Sequence, residues 1–163
     1  MSRLDDFIRR MTAQKLLLEH AAGLIAGLDG PAFELGLGNG RTYDHMRQIM
    51  PGREIFVFDR SVSAHPSCVP DGDHMIMGDI RDTLQYCHPR TKTKIALIHV
   101  DLGTGDATAD LAKADWLAPL LADHAMTGGY VVSDLPIDHP EFERLESPPG
   151  TEAAKQRLYR KRG

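Results

Sequence analysis

Gly36, Gly38 and Gly40 crowd into Phe33-Glu34-Leu35-Gly36-Leu37-Gly38-Asn39-Gly40-Arg41-Thr42. An apolar run, Ala32, Phe33 and Leu35, leads in, and a helix-like stretch from Tyr43 to Met50 leads out. A strand, a glycine turn and a helix bring backbone N–H groups close to a ligand. Glycine reaches positive φ and lacks the Cβ that blocks close approach, and the following helix N-terminus favours an anionic group. The turn therefore points to a nucleotide-like ligand at a strand end.

The spacing narrows the ligand. A dinucleotide turn reads G-x-G-x-x-G, and this chain carries Arg41 where the third glycine belongs. That disfavours an NAD-dependent oxidoreductase. Further apolar runs end in carboxylates: Glu54-Ile55-Phe56-Val57-Phe58-Asp59, Met75-Ile76-Met77-Gly78-Asp79, Lys94-Ile95-Ala96-Leu97-Ile98-His99-Val100-Asp101, and Gly128-Gly129-Tyr130-Val131-Val132-Ser133-Asp134. Asp59 falls at the distance expected of an acid that binds ribose hydroxyls.

The pattern E-x-G-x-G-x-G, the segment Gly78-Asp79-Ile80-Arg81-Asp82-Thr83-Leu84 and the strand Gly128 to Asp134 together resemble the class I S-adenosylmethionine (SAM)-dependent methyltransferases. The motifs cover residues 31 to 135, and the opening Arg3-Leu4-Asp5-Asp6-Phe7 is similar to a small bacterial group of minimal methyltransferases. The resemblance implies a Rossmann-like α/β fold. Its sheet would be mostly parallel, with helices on both faces and a C-terminal antiparallel hairpin. It also implies SAM as methyl donor, S-adenosylhomocysteine as product, and a single domain over 1–163, with a helical extension over 1–28 and the core over 31–163. The implied cofactor site comprises Glu34, Gly36, Leu37, Gly38, Asn39, Gly40, Arg41, Thr42, Asp59, Arg60, Gly78, Asp79, Ile80 and Asp101. Asp79 would approach the adenine amino group, with Ile80 on the ring. Glu34 would fix the glycine loop or the cationic amino group, and Arg41 and Thr42 would face the ligand carboxylate.

His99, Asp101, Asp106, Asp134 and His139 are expected beyond the ends of strands four and five, where open α/β sheets bind ligands. His99 and Asp101 alternate on one strand face and are the candidate catalytic bases. Asp134 precedes Leu135-Pro136, so it lacks the following Asn of the metal-dependent O-methyltransferases, and no metal is expected. That metal-dependent class and a non-catalytic SAM-binding protein stand as alternatives to a direct methyl transfer onto a small-molecule acceptor.

Residues 3 to 28 read as one or two helices, with Thr12 as a candidate N-cap between them. Their apolar stripes, Leu4, Phe7, Ile8 and Met11 in the first, suggest a homodimer surface. Residues 60 to 73 read as a loop, and Pro119 is expected to kink or split the helix over 106 to 125. Phe142 to Glu146 and Arg157 to Arg160 are expected to pair, with the basic tail as a solvated edge strand. The 163 residues carry a net charge of -4, which points away from a nucleic-acid partner. Cys68 and Cys87 fit neither zinc nor a redox pair. No apolar run approaches the ~20 residues of a membrane helix, so no membrane association and a cytoplasmic location are expected.

Overall fold

The computed structural model describes residues 1–163. Its sheet has seven strands in the order β3-β2-β1-β4-β5-β7-β6. The strands are β1 (Ala32–Leu35), β2 (Ile55–Asp59), β3 (Met75–Met77), β4 (Ile95–Val100), β5 (Ala125–Ser133), β6 (Phe142–Leu145) and β7 (Arg157–Lys161). The first five run parallel, and β7 is antiparallel to both its neighbours. The helices are α1 (Arg3–Leu24), α2 (Arg41–Ile49), α3 (Ile80–Tyr86), the single turn α4 (His88–Thr91) and α5 (Ala107–His124).

Strand alternation assigns the two faces. Phe33, Leu35, Phe58, Ile98 and Val100 meet Leu117 and Leu121 of α5 and Leu84 of α3. Ala32, Val57 and Leu97 meet Leu17, Leu18 and Ala21 of α1 and Met46 of α2 on the other side. The central strands are buried on both faces and therefore read as continuous apolar runs. Backbone bonds carry the ladder past the strand ends, from Gly36 N–H to Phe58 O, Asp101 N–H to Leu35 O and Asp134 N–H to Val100 O. One rim of the sheet thus gathers the residues that follow β1, β2, β3, β4 and β5.

Three local details are corrected: Thr12 as a cap, a split of α5 at Pro119, and the basic tail as an edge strand. The N-terminal segment is one uninterrupted helix to Leu24, and Thr12 lies exposed within it. The cap is Ser2: its hydroxyl accepts from Asp5 N–H and the Asp5 carboxylate accepts from Ser2 N–H, a reciprocal box. Pro119 does not split α5. It sits on the solvent face, while Leu117, Ala118, Leu121 and Ala122 are buried and hold both halves on the sheet. The basic strand is not an edge: β7 lies between β5 and β6. The buried Lys161 is satisfied by the Ala122 carbonyl at 2.7 Å and the Glu141 carboxylate. β6 is the edge instead. The hairpin pairing itself holds, with Leu145 opposite Leu158 and Phe142 opposite Lys161. No helix is long and apolar enough to cross a membrane, and Cys68 and Cys87 are unpaired.

Candidate functional site

The glycine loop leaves β1 by a sharp turn that only glycine fills. Gly36 has φ 93°, and a Cβ there would stand 2.6 Å from the Asp101 carbonyl. Gly38 has φ 52° and open space where its Cβ would be. The first glycine lets β1 and β4 close together, and the second leaves the backbone bare toward a ligand. Asp59, at the end of β2, organises the same loop. Its Oδ2 accepts from Leu37 N–H at 2.8 Å and Gly38 N–H at 3.3 Å, and its Oδ1 accepts from Ser61 N–H at 3.2 Å.

A cavity of about 360 Å3 opens above this turn, lined by Gly36, Gly38, Asp59, Arg60, Asp79, Ile80, Asp101, Leu102, Gly103, Lys113 and Trp116. Asp79 caps α3 by accepting from Arg81 N–H at 3.0 Å and pairs with Arg60 at 2.7 Å. The backbone bond to Arg81 holds its carboxyl below the usual carboxylate range, and Arg60 adds to this. Ile80 packs on the core beside it. Trp116 and Lys113 come from α5, and Lys113 is anchored by its bond to the Leu102 carbonyl at 2.6 Å.

A second cavity of about 340 Å3 adjoins the first, and Asp101 and Gly103 line both. Arg10, Met11 and Gln14 of α1 form one wall, and Lys155 and Gln156 form another. Asp134 lies at its floor, its oxygens accepting from Leu102 N–H at 3.1 Å and Gly103 N–H at 2.6 Å. Burial pushes the Asp134 carboxyl up, against the downward pull of those two bonds. The larger cavity of the molecule, about 640 Å3, lies at the opposite end of the sheet around Gly30, Pro31 and Glu54, away from the strand carboxyl ends.

Beneath the rim lies a polar chain whose centre, Glu34 with His99, is closed to solvent. Glu34 and His99 are cross-strand partners in the register of β1 and β4, and both are fully buried. Glu34 Oε2 meets His99 Nδ1 at 2.7 Å, and Glu34 Oε1 accepts from the Thr42 hydroxyl at 2.5 Å. His99 Nε2 meets the Gln156 amide at 2.7 Å. Burial alone pulls the His99 pKa down, but the Glu34 charge and hydrogen bond outweigh it and hold the ring up at about 9. The Gln156 nitrogen faces His99 Nε2; an imidazolium donates from both nitrogens and calls for the amide oxygen there instead. The two ends of that amide are interchangeable in outline, and this orientation also gives a partner to an oxygen that is otherwise buried without one.

The structure brings together seven of the fifteen site residues singled out from sequence and separates the others. Gly36, Gly38, Asp59, Arg60, Asp79, Ile80 and Asp101 line the first cavity. Gly78 precedes it with φ 142°. Leu37 is buried in the core, Gly40 packs on Cys68, and exposed Asn39 accepts from Arg41 N–H. Arg41 and Thr42 line neither cavity: Arg41 lies over the Phe7 ring at 5.9 Å, and Thr42 turns inward to Glu34. Glu34 is enclosed, so of its two expected tasks the geometry matches the fixing of the loop. His99 has both nitrogens engaged inside the protein and faces no cavity. Asp106 caps α5 through Ala109 N–H at 2.9 Å, and His139 accepts from Glu141 N–H at 3.3 Å, so neither joins the rim cluster. Sequence reasoning passed over Arg10, Trp116, Lys155 and Gln156. None belongs to a nucleotide-site motif, and only tertiary pairing brings each to the rim.

No group of three or more His, Cys, Asp or Glu side chains is gathered in a way that could hold a metal ion. Asp134 accepts from two N–H groups of the loop after β4. The first cavity does fit a SAM-sized adenosine: it offers carboxylates, an apolar wall of Ile80 and Trp116, and a glycine backbone left bare.

A family profile described as S-adenosyl-L-methionine methyltransferase matches residues 1–161. Among solved structures, the S-adenosyl-L-methionine methyl transferase from Silicibacter pomeroyi DSS-3 is 43% identical, with 99% of each chain covered and a TM-score of 0.88. A chain of a fibrillarin/Nop5p complex is 16% identical, covering 94% of this chain and 83% of that one, with a TM-score of 0.59. TrmN from Thermus thermophilus is 13% identical, covering 86% of this chain and 48% of that one, with a TM-score of 0.53. These last two show the fold alone. No curated protein matches. The strand order with its antiparallel β7 is that of the class I methyltransferases, and the chain belongs to the S-adenosyl-L-methionine methyltransferase family, as a SAM-dependent methyltransferase.

Proposed function

We propose that this methyltransferase acts on a small polar acceptor, bound between α1 and the loops after β4 and β5, by direct in-line methyl transfer. One observation carries this reading: the two cavities meet at Asp101 and Gly103. A cofactor in the first and an acceptor in the second would face each other there. Only one of the eleven residues lining the second cavity, Met11, is hydrophobic, which favours a polar acceptor over a flat apolar one. Gln14 supplies an amide donor and acceptor, and Arg10 and Lys155 supply cations at the rim.

Bound SAM supplies a methyl group already activated on a sulfonium. The chain's own residues bind, align and handle protons. Asp59 accepts from the ribose hydroxyls with lone pairs left free by the loop amides, and Asp79 accepts from the adenine amino group. Gly36, Gly38 and the backbone through Gly40 shape the turn on which the methionyl part rests. Asp101 is exposed, and its carboxylate has no hydrogen-bonded partner within the protein. It orients the acceptor and takes its proton where the accepting atom carries one to lose. Glu34 and His99 are positioning residues: they lock Thr42 at the start of α2 and Gln156 at the cleft wall. Fixing acceptor and methyl in a near-attack geometry is worth ~7–11 kcal/mol. The metal-dependent alternative draws no support from Asp134, whose oxygens hold the β4–α5 loop. The whole of 1–163 works as one unit in this reading, with α1 walling the cleft of the core.

Asp101→Asn is expected to lower kcat by about 10²–10⁴-fold, the usual worth of a positioned base, and to leave SAM affinity within a few-fold of native. The assay is radiolabelled methyl transfer over a panel of small polar amines, hydroxy acids and thiols, with SAM affinity measured by calorimetry. A parallel fall of turnover and SAM affinity would make Asp101 a cofactor ligand instead. Turnover confined to large apolar acceptors would remove the polar-acceptor reading.

A further inference from the structure

Residues 146–156, between β6 and β7, far exceed the roughly two to five residues with which a hairpin turns. The segment is not slack. Thr151 is buried, its hydroxyl donates to the Pro148 carbonyl at 2.6 Å, and Ala154 N–H donates to the Thr151 carbonyl at 2.9 Å. Held in this way, it encloses a further cavity at the rim, of about 500 Å3. Ser147, Thr151 and Lys155 of the segment line it, with Arg144 and Arg157 of the strands. This cavity adjoins the second one, and Asp134, Lys155 and Gln156 line both.

The strand register sets two arginines side by side. Arg144 of β6 stands opposite Tyr159 of β7, and Arg157 lies two residues before Tyr159 on the same face. Arg144 and Arg157 are therefore diagonal neighbours, ~7–8 Å apart and within reach of each other's long side chains. Like charges held this close repel. The protein offers them little relief. Among basic side chains, its ion pairs with carboxylates engage Arg9, Arg10, Lys15, Arg47, Arg60 and Lys161, and none of Arg144, Lys155 and Arg157. Arg157 donates only to a carbonyl, that of Asp134, at 3.2 Å. Two carboxylates share the lining. Asp134 is turned to the loop after β4, and exposed Glu152 accepts from Gly150 N–H at 3.1 Å. Glu146, which follows β6, is exposed and outside the lining.

We infer that the methyl acceptor carries an oxyanion, a carboxylate or a phosphate, which Arg144 and Arg157 bind in this cavity while the accepting atom lies at Asp101. The inference rests on the reading of the second cavity as the acceptor site, and it names the class of molecule that fills it. Guanidinium forks match carboxylate and phosphate with paired hydrogen bonds, and an anion between the two arginines relieves the repulsion that the register imposes. Lys155 stands where the cavities join. The sheet sets the span. Asp101 follows β4, Asp134 follows β5 and Arg157 opens β7, so two strand spacings, ~10 Å, separate the base from the anion seat. The acceptor is thus a short molecule with its reactive group and its charge at opposite ends. Asp101 and Asp110 on the second cavity repel an anion placed there, which gives the molecule a single orientation.

The test titrates inorganic phosphate and glutarate, separately, into the full chain saturated with S-adenosylhomocysteine, so that the seat of the cofactor's own carboxylate is filled. The arginine Nε–H signals in proton–nitrogen correlation spectra read it. The Arg144 and Arg157 signals are expected to move and saturate. A response to phosphate alone makes the group a phosphate, and one to glutarate alone makes it a carboxylate. Arg144→Gln, at an exposed position, is expected to weaken this binding about tenfold or more at the Arg157 signal. Arg160→Gln, outside the cavity, is expected to leave it unchanged. Acceptors are then offered as matched pairs, each acid or phosphate monoester beside its neutral ester or alcohol. The charged member is expected to show a KM about tenfold or more lower, and Arg144→Gln to abolish that preference with kcat within a few-fold of native. Arg144 and Arg157 signals that neither anion moves overturn the inference. So does an equal KM for charged and neutral members, an outcome that leaves methyl transfer to polar acceptors standing. Saturation at both arginines with no polar acceptor turned over upholds the anion seat and overturns its assignment to an acceptor.

Discussion

Glu34→Leu is expected to destabilise the fold by about 3–5 kcal/mol, the usual cost of removing one partner of a buried ion pair. The chemical-denaturation midpoint reads it. His99 would be left fully buried without its counter-charge, and the Thr42 hydroxyl would lose its acceptor. Replacing both residues, Glu34→Leu with His99→Leu, is expected to be milder than Glu34→Leu alone, because no charge is then stranded. A distinct pH signature accompanies the pair. The folded pKa of His99, held up at about 9 despite burial, exceeds the ordinary 6.5. The imidazolium therefore contributes stability that is fully present below about pH 6.5 and is lost as pH rises through 9. Over that window the shift corresponds to roughly 3 kcal/mol. The Glu34→Leu chain is expected to lack this alkaline loss. A native chain whose stability is flat from pH 6 to 10, relative to Glu34→Leu, would mean that His99 is buried neutral.

The same pair marks the boundary of what the sequence makes legible. Strand ends and the glycine turn are local patterns, so the order of β1 to β5 and the gathering of Gly36, Gly38, Asp59, Asp79 and Asp101 at one rim follow from reading along the chain. Glu34 and His99 are equally visible as polar residues inside apolar runs, but their meaning depends on register. Glu34 faces His99 only because β4 pairs with β1 residue for residue. A lone histidine on a strand resembles a base awaiting a substrate, whereas the same histidine with an acid on the neighbouring strand is an enclosed ion pair. Gln156 belongs to the site for a similar reason. Leu158 lies opposite Val132, which itself lies opposite His99, and two residues back along the antiparallel β7 brings the chain to Gln156 at the rim. The misread edge has the same origin. Arg157, Arg160 and Lys161 look solvated by composition, yet long-range pairing inserts β7 between two strands, and Lys161 escapes isolation by reaching Glu141 and a helix C-terminal carbonyl. Ser2 and Asp5 are the opposite case, a local S-x-x-D cap signal that was present in the sequence.

Asp59→Ala is expected to weaken SAM binding by about 100-fold or more, corresponding to two charge-assisted hydrogen bonds at ~1.5–3 kcal/mol each less some compensation by water. The difficulty is that Asp59 has two tasks. Its Oδ2 already holds Leu37 and Gly38 N–H, and its Oδ1 holds Ser61 N–H. Loss of affinity in the alanine variant would therefore follow from a collapsed loop as readily as from a lost ribose contact. A carboxylate offers about four lone-pair sites, so room for a hydroxyl donor persists beside those amides, and the two tasks separate by changing the ligand. Native protein is expected to bind S-adenosylhomocysteine about tenfold or more tightly than its 2′,3′-dideoxy analogue, since each lost hydrogen bond to a charged group costs ~1.5–3 kcal/mol. Asp59→Ala is expected to bind both equally and weakly. If the variant keeps the native preference for the hydroxylated ligand, Asp59 acts through the loop alone and another group reads the ribose. Unchanged affinity in Asp59→Ala would remove both assignments at once. Thermal shift makes the comparison accessible, because a ligand at 100 times its Kd stabilises the fold by ~2.7 kcal/mol, and a hundredfold loss of affinity at the same concentration erases most of that gain.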